Sequence, residues 1–344
     1  MAVTMNQVAK VVGMSRATVS DVVRDRWREK GITVATYERV QKVLKETGYM
    51  PNHLAQSMVK GKTSTLGVQV PVIMGKYWPS VIKELDSAAR VEGYRLILAA
   101  PADYRNEKDE IIRLCQYQVD GLLISPKVES EVSKVCRALS MQNKPFVFIG
   151  DETETGYYSV LDDNFQQASL AVEHLIGLGH RKIAHISGSQ VGTTGRERMQ
   201  GYLNTMVQNG LAVYEDYVIA GNYSIDGAKS AMKKLLGHTD KPTAVYCASD
   251  NMALGAMKVI LDAGLRIPQD IAIVGHGDDL FYEECYQVAL TTIGQPISEL
   301  AHKAVETLAR LISGDEVKQR TVKLPGKLIV RDSCGASRNK KISV

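Results

Sequence analysis

The most informative segment of the sequence lies near its N-terminus and reads Thr4-Met5-Asn6-Gln7-Val8-Ala9-Lys10-Val11-Val12-Gly13-Met14-Ser15-Arg16-Ala17-Thr18-Val19-Ser20-Asp21-Val22-Val23. Thr4, with Gln7 three residues later, predicts a capping box and the start of a helix. Apolar residues recur at helical spacing on both sides of Gly13, and glycine reaches the positive φ of a tight turn without steric cost. Ser15 predicts the cap of a second helix. Two short helices joined by a glycine turn form a helix-turn-helix, whose second helix is the candidate recognition helix.

A third helix is predicted directly downstream. Thr33 is its expected cap, and Gly48 stands where a left-handed C-cap belongs. Pro51 prevents the helix from continuing. Asn52 could cap one more helix, but so short a segment is marginal in isolation.

The pattern changes at Ser64 to apolar strands that alternate with amphipathic helices, and it restarts once after the strand that ends at Ile149. Near-continuous apolar strands separated by helices predict parallel sheets covered on both faces. We therefore expect two doubly wound α/β subdomains of similar size. Ligands of such sheets bind outside the carboxyl ends of the strands, so a cleft between the subdomains is the expected ligand site.

Composition and charge limit the class of protein. The chain has 344 residues, 44% of them apolar and 23% charged, which suits two or three folded domains. No apolar run is long enough for a membrane span and no signal peptide is recognisable, so a cytoplasmic protein is expected. Residues 1–62 contain eleven basic and five acidic residues, whereas the whole chain has a net charge of only +4. A basic N-terminal module on a mildly acidic body suits phosphate binding at one end.

The cysteines give no sign of a metal or redox site. There are five, scattered along the chain and without a Cys-x-x-Cys pair: Cys115, Cys136, Cys247, Cys285 and Cys334. They are expected to be reduced thiols beside or within strands. No metal and no cofactor is predicted.

Taken together, the headpiece and a series of later segments resemble the lactose-repressor (LacI) family of bacterial transcription regulators. Each segment alone is a weak indication of the family, but the occurrence of all of them in the family's order over residues 3 to 333 is a specific one. The segments are 48–52 (GYMPN), 118–124 (QVDGLLI), 163–164 (DN), 174–183 (HLIGLGHRKI), 249–256 (SDNMALGA), 264–270 (GLRIPQD), 290–293 (LTTI) and 295–296 (QP).

The resemblance implies an N-terminal three-helix headpiece at 1–48 and a hinge helix or linker at 49–63. Two periplasmic-binding-protein-like subdomains would follow, the first formed by 64–162 and 294–323 and the second by 163–293 and 324–335, with a tail at 336–344. The chain would cross between them near Asp162, Ile293 and Lys323. The family also implies a homodimer on a pseudo-palindromic operator of double-stranded DNA, a small sugar-like effector, and repression rather than activation.

The resemblance also assigns the residues that would touch DNA. Arg16 and Ala17 occupy the two base-reading positions, where arginine suits guanine and alanine suits a thymine methyl group. The full set is Thr4, Ser15, Arg16, Ala17, Thr18, Ser20, Asp21, Arg24, Asn52, His53, Ala55 and Met58. Asp21 is a departure, since the family usually has a donor there. Its carboxylate could accept from cytosine N4, or it could point away or pair with Arg24.

Two further features of this region leave alternatives open. The loop 24–30 is some three residues longer than usual, and its cations could follow a phosphate backbone or form a solvated charged surface. Met58 stands where the family has a leucine that wedges into the minor groove. Methionine could do the same, or it could pack one hinge against another.

The expected effector contacts lie in the α/β body. The resemblance places Tyr77 and Trp78, in a βα loop, where the family has two aromatics against the ligand; such rings suit the apolar face of a sugar or heterocycle, or they could pack at the rim. Arg198 matches the family's effector arginine, and Asp278 or Asp279 matches the acid that faces it, with surface ion pairing as the alternative. Weaker candidates are Asp151, Ser249 and Asp250.

Three other functions fit the sequence less well. A two-lobed solute-binding receptor would have a signal peptide and no headpiece. An enzyme is not expected, because no Gly-x-Gly-x-x-Gly follows a strand, no Gly-x-x-x-x-Gly-Lys-Ser/Thr occurs and no Ser/His/Asp arrangement is legible. A regulator that responds to a protein partner instead of a metabolite would have a wide, poorly lined cleft.

Overall fold

The computed structural model describes residues 3–50, 61–71, 76–101, 106–127, 129–152, 156–278 and 288–336. The chain divides into two compact units, Met1–Thr63 and Ser64–Val344, and each is described by itself.

The first unit has three helices, α1 (Met5–Val12), α2 (Arg16–Val23) and α3 (Val34–Thr47), and each begins directly after its predicted cap residue. Thr4 and Gln7 form a reciprocal capping box at the start of α1, and Gly13 ends the helix with φ 74°. The hydroxyl of Ser15 accepts a hydrogen bond from the backbone N–H of Thr18. Gly48 ends α3 in the left-handed conformation, as expected.

A small apolar core holds these three helices together. Its fully buried members come from all three helices: Val8, Val12, Val19, Val22 and Val40. Burial of such a side chain contributes about 1.5–3 kcal/mol, and α1 and α2 are too short to be stable alone. The helix-turn-helix therefore depends on packing against α3.

The second unit contains two six-stranded sheets. The first sheet has the order β11-β5-β4-β3-β1-β2 and is parallel throughout. This sheet and the helices that pack on it form the first lobe. In chain order, the elements of the first lobe are β1 (Thr65–Gln69), α4 (Tyr77–Val91), β2 (Arg95–Ala99), α5 (Glu107–Gln116), β3 (Gly121–Ile124), α6 (Glu129–Met141), β4 (Phe146–Ile149), β5 (Ser159–Asp162), α11 (Ile297–Ser313) and β11 (Thr321–Leu324).

The second sheet has the order β12-β10-β9-β8-β6-β7, and only β12 is antiparallel to its neighbour. The second lobe comprises α7 (Asn164–Gly177), β6 (Ile183–Ser187), α8 (Thr193–Gln208), a 3₁₀ turn (Glu215–Tyr217), β7 (Val218–Ala220), α9 (Ile225–Gly237), β8 (Ala244–Cys247), α10 (Asp250–Asp262), β9 (Ala272–Gly277), β10 (Thr291–Gly294) and β12 (Lys327–Ile329).

Both sheets are covered by helices on both faces. In the first lobe, α4 and α11 pack on one face and α5 and α6 on the other; in the second, α9 and α10 lie opposite α7 and α8. The chain passes from the first sheet to the second after Asp162, returns after Gly294, and passes over again after Leu324. Helix α11 thus belongs to the first lobe although it follows the strands of the second.

Three details differ from the sequence expectations. Helix α4 begins at Tyr77, so Tyr77 and Trp78 lie in its first turn and not in a loop; Pro79 is tolerated there because first-turn N–H groups have no helical partner. The sequence pattern indicates a helix from Arg198 to Gln208, but helix α8 begins five residues earlier, at Thr193. The short strands β5, β11 and β12 were not predicted, because three or four residues give little periodic signal.

Among the helices that the structure describes, none has the length and apolar character needed to cross a lipid bilayer.

Candidate functional site

The recognition helix α2 presents its predicted base-reading residues to the outside. Arg16 and Ala17 are exposed in its first turn. Thr18 is half-buried, and its hydroxyl lies 2.8 Å from that of Ser15. Ser20, one turn further, is also half-buried. This arrangement leaves the N-terminal edge of α2 free to enter a groove, which is how such helices reach base edges.

Asp21 is paired with the long loop and not with Arg24. Its Oδ1 accepts a hydrogen bond from Nη2 of Arg26 at 2.8 Å, and the backbone N–H of Arg26 donates to the carbonyl of Asp21 at 2.9 Å. The Asp21 side chain is 19% exposed. The loop folds back on α2 through these two bonds.

The same loop packs on α3 through aromatic rings. Trp27 stacks on Tyr37 with ring centroids 4.7 Å apart, and its indole N–H donates to Asp25. The Arg28 guanidinium lies over the Trp27 ring at 4.9 Å, a cation–π contact. The longer loop is therefore an ordered part of the headpiece.

Four predicted DNA contacts, Asn52, His53, Ala55 and Met58, lie outside the described residues. Thr4 caps α1 and Arg24 lies at the end of α2.

In the second unit, hydrogen bonds bring together polar groups that follow the carboxyl ends of strands in both sheets, where the strand rule predicts a ligand site. Arg198 is 4% exposed in α8. Its Nε donates to Oδ1 of Asn164 at 2.8 Å and its Nη1 donates to the carbonyl of Ala248 at 2.6 Å. These two bonds fix the plane of the guanidinium.

Tyr77 reaches the neighbourhood of Arg198 from the first lobe, whereas Trp78 is only 9% exposed and packs in the apolar core of that lobe. Their rings meet edge to face, 5.2 Å apart. The Tyr77 hydroxyl donates to Oδ2 of Asp162 at 3.0 Å. Burial, reinforced by the Asp162 charge, raises the pKa of Tyr77 well above 10. Burial also raises the pKa of Asp162, against the opposing effect of Arg198 and three hydrogen bonds.

Asp151 follows β4 and is 2% exposed. It pairs with Lys127 of its own lobe and accepts hydrogen bonds from Thr193 and Thr194 of the second lobe. Burial alone would raise the pKa of Asp151, but Lys127 and the two threonines together lower it below 3.8. The carboxylate is therefore charged at neutral pH.

The remaining predicted effector contacts lie at the strand ends of the second lobe. Ser249 caps α10, and its hydroxyl accepts from the N–H of Met252. Asp250, 5% exposed, accepts a hydrogen bond from the Thr292 hydroxyl at 2.6 Å. Asp278 pairs with Arg331 at 2.8 Å and remains 25% exposed on its side chain. The alternative Asp279 lies outside the described residues.

Sequence reasoning missed several cleft residues. Lys127, Thr193, Thr194 and Tyr223 were not singled out, and Asp162 was noted only as a crossover position. Lys127 follows β3 by three residues and Tyr223 follows β7 by three, so the strand-end rule could have found both. The Tyr223 hydroxyl is buried with no hydrogen-bond partner in the described part of the chain. Two more such groups lie at the ends of β1 and β3, the amide of Gln69 and the hydroxyl of Ser125.

Comparison with known proteins agrees with this architecture. Residues 4–52 match the bacterial regulatory proteins of the lacI family, and residues 172–334 match the periplasmic binding protein-like domain. The chain is 30% identical over 334 residues to the HTH-type transcriptional repressor PurR of Vibrio cholerae serotype O1, covering 96% of this chain and 97% of that protein. It is 31% identical over 341 residues to the ribose operon repressor of Escherichia coli K12, covering 96% and 99%.

Two solved structures extend the likeness to three dimensions. The lac repressor dimer bound to operator and the anti-inducer ONPF has a TM-score of 0.88 at 28% identity, covering 98% of this chain and 100% of that one. The complex of the transcriptional regulator CelR with cellobiose has a TM-score of 0.72 at 28% identity, covering 96% and 99%.

A helix-turn-helix headpiece joined to a two-lobed α/β effector-binding module defines a DNA-binding transcription regulator of the repressor class. This chain belongs to the LacI family of bacterial regulatory proteins.

Proposed function

We propose that this protein is a cytoplasmic homodimeric repressor whose affinity for a pseudo-palindromic operator is set by a small, sugar-like effector bound between its two lobes. The observation that supports the proposal is the Arg198 guanidinium, which Asn164 and Ala248 hold in place and whose charge acts on Asp162 and on the Tyr77 hydroxyl bonded to it. An arginine with two of its five N–H donors fixed by protein keeps the others for a ligand.

The chemistry of the cleft favours a hydroxylated ligand. Gln69, Ser125 and Tyr223 hold buried polar groups without partners among the described residues, and hydroxyl groups can both donate to and accept from them. The partly buried ring of Tyr77 could pack against the apolar face of a ligand ring, while Trp78 supports Tyr77 from the first-lobe core. Relatives support a sugar, since they include a ribose operon repressor and a regulator complexed with cellobiose.

The regulatory mechanism follows from linkage. An effector changes operator affinity only if it binds the lobe arrangements of the operator-bound and free states with different affinity. Contacts with both lobes at once, through Tyr77 and Arg198, would supply that difference. Asp278 lies beside Arg331 at the end of β9 and would contact the same ligand from the second lobe.

In the headpiece, Arg16 would read guanine and Ala17 would meet a thymine methyl group. Replacing Arg16 by alanine should weaken operator binding by about 1–3 kcal/mol and relax the preference at one base pair. Selection from a random duplex library, with Lys45→Ala in α3 as the control, measures this. An unchanged sequence logo would remove Arg16 from base reading.

The effector is tested by a thermal-shift screen of sugars, sugar acids, sugar phosphates and nucleobases on the full-length protein. A specific hit should lose about tenfold to hundredfold in calorimetric affinity in Arg198→Ala, because hydrogen bonds to a charged group contribute about 1.5–3 kcal/mol. Arg90→Ala, on the exposed side of α4, should bind normally. Full affinity in Arg198→Ala would refute the site.

A further inference from the structure

The chain crosses between the lobes three times, and all three crossovers are bonded at one buried place. The amide Nε2 of Gln167, near the start of α7, donates to Oδ1 of Asp162, the last residue before the first crossover, at 3.2 Å. It also lies 3.4 Å from the carbonyl oxygen of Leu324, the last strand residue before the third crossover. At the second crossover, the amide of Gln295 donates to Oδ2 of Asp162 at 3.0 Å. Asp162 and the fully buried Gln167 therefore join the three crossovers.

Gly326 shows how closely the third crossover approaches Gln167. A Cβ on Gly326 would lie 2.6 Å from Cγ of Gln167 and 3.0 Å from Cγ2 of Ile293. Gly326 does not have a positive φ, so its backbone conformation does not require glycine. The close approach is what disfavours a larger residue here. The backbone of the third crossover therefore packs directly on the Gln167 side chain, in addition to the hydrogen bonds.

The other end of the Gln167 amide is held by the second sheet. Oε1 of Gln167 lies 2.8 Å from Nε2 of His276 in β9, and Nδ1 of His276 lies 2.9 Å from the Tyr246 hydroxyl of β8. These side chains are all buried. An amide has one donor end and one acceptor end, so a partner at each end allows a single orientation. His276 therefore directs the N–H groups of Gln167 toward Asp162.

Asp162 links this network to a candidate effector contact. Its Oδ2 accepts a hydrogen bond from the hydroxyl of Tyr77, the first residue of α4, at 3.0 Å. Asp162 and Tyr77 belong to the first lobe, whereas Gln167 belongs to the second. A carboxylate with donors from both lobes cannot follow one lobe without disturbing its bonds to the other. The position of the Tyr77 hydroxyl therefore depends on how the two lobes are placed.

We propose that Gln167 is a positioning residue of the candidate effector site: through Asp162 it fixes the Tyr77 hydroxyl relative to the three crossovers about which the lobes would move. His276 acts one step further away, by orienting the Gln167 amide. The regulatory meaning of this inference rests on the proposed effector site, because a ligand in contact with Tyr77 would then bind two lobe arrangements with different affinity. The hydrogen-bond network itself exists without any ligand.

Two variants separate the role of the Gln167 hydrogen bonds from that of its volume. Gln167→Met has a similar size and no polar hydrogen, so it loses the bonds at every pH. Gln167→Glu keeps the shape and can still accept from His276, but it sets a second carboxylate against that of Asp162. One pKa of such a carboxylate pair is strongly raised, because two like charges at one site disfavour each other. A shared proton then replaces the missing N–H at low pH, whereas the two charges repel at high pH.

Two measurements on the full chain without ligand report the two ends of the network. A Trp27→Phe background leaves Trp78 as the only tryptophan, so its fluorescence reports the surroundings of the Tyr77 ring, 5.2 Å away. Hydrogen exchange of the Asp163 N–H, which donates to the Leu324 carbonyl at 2.8 Å, reports the crossovers. Exchange is expressed as a protection factor, so that the intrinsic pH dependence of amide exchange cancels.

Gln167→Met should shift the Trp78 emission and lower the Asp163 protection factor by about twofold to tenfold at both about pH 6 and about pH 9, as expected for the loss of one hydrogen bond. Gln167→Glu should behave like Gln167→Met at about pH 9 and like wild type at about pH 6. Adding His276→Gln, which keeps a donor but removes the titrating ring, should preserve this recovery. Gln166→Met is the matched control, since the Gln166 amide bonds the third crossover but not Asp162, and it should leave the Trp78 emission unchanged.

Wild-type Trp78 emission in Gln167→Met would overturn the proposal, and so would a Gln167→Glu variant that behaves alike at both pH values. Either result would make Gln167 a packing residue only. Because the Gln167→Glu comparison is made within one protein, it decides the question even where Gln167→Met is unstable. No effector is used, so failure here is distinguishable from failure of the proposed effector site, which the Arg198→Ala titration decides. Circular dichroism melting checks that each variant is folded.

Discussion

Nε2 of His276 lies 2.8 Å from Oε1 of Gln167, inside a buried chain of hydrogen bonds that runs from the second sheet to the cleft. The amide of Gln167 donates to Oδ1 of Asp162, so its oxygen is the acceptor and His276 must carry its proton on Nε2. Nδ1 of the neutral ring then accepts from the Tyr246 hydroxyl at 2.9 Å. Asp162 in turn accepts from Tyr77 and, at 3.0 Å, from Gln295. Donor and acceptor are therefore assigned for every hydrogen bond of this network.

The buried histidines of this hydrogen-bond network predict that the stability of the protein depends on pH. Burial, with Arg198 and His185 nearby, lowers the pKa of His276 well below 6.5, and burial lowers that of His185 to about 4. Below about pH 6.5 these histidines are protonated in the unfolded chain but stay neutral in the native protein. The free energy of unfolding therefore decreases as the pH falls. Each histidine contributes a slope of up to about 1.4 kcal/mol per pH unit. In His276→Gln the slope from urea unfolding between pH 7 and 5 should be smaller, whereas exposed His302→Gln should leave it unchanged. Equal slopes in wild type and His276→Gln would contradict the assignment.

Asp21 is expected to position the loop and not to read a base. Its carboxylate is bonded to Arg26, so Asp21→Asn should leave the selected operator logo unchanged. Loss of a negative charge beside the phosphates should raise non-specific DNA affinity and reduce discrimination, which anisotropy titrations across a salt series measure. Glu46→Gln at the exposed end of α3 is the control for charge alone. A logo that loses a cytosine in Asp21→Asn would instead show direct reading of cytosine N4.

Asn164 should act on the effector through Arg198. Asn164→Ala removes the acceptor of the Arg198 Nε proton, a bond to a charged group that contributes about 1.5–3 kcal/mol. Calorimetric affinity for an effector identified by screening should fall about tenfold or more. Asn209→Ala, just past the far end of α8, should bind as wild type. Unchanged affinity in Asn164→Ala would mean that Arg198 is held well enough by Ala248 alone.

Glycines of the second unit provide a test of its packing. A Cβ on Gly67 in β1 would lie 2.8 Å from Leu122 and 3.2 Å from Leu114, so Gly67→Ala should destabilise by about 1–3 kcal/mol. Gly237 ends α9 with nothing within 4 Å, and Gly237→Ala should be neutral or stabilising by up to about 1 kcal/mol. Urea unfolding of the two variants measures both changes in the free energy of unfolding. A Gly67→Ala variant as stable as wild type would show that the neighbouring leucines can move to make room for the added methyl group.

Local signals in the sequence were sufficient for the headpiece. Thr4 with Gln7, Gly13 and Gly48 act on backbone atoms within a few residues, so their roles are readable without the rest of the chain. The alternation of apolar strands and helices likewise predicted two doubly wound sheets, because burial on both faces leaves a continuous apolar run. The Arg26 partner of Asp21 was missed, since a loop conformation decides which of several cations reaches the carboxylate.

Periodicity and local caps predicted the helix-turn-helix and the parallel sheets, whereas Arg198, Tyr77 and Trp78 became candidate effector contacts only through the resemblance to the LacI family. The three-dimensional structure was needed to show that Asp151 accepts the N–H of Thr194, 43 residues away at the start of α8, and that Asp162 joins Tyr77, Gln167 and Gln295. Such contacts join strand ends and helix starts that are distant in the chain. Their geometry is set by how two sheets pack and where the chain crosses between them, and no local preference of the residues encodes it.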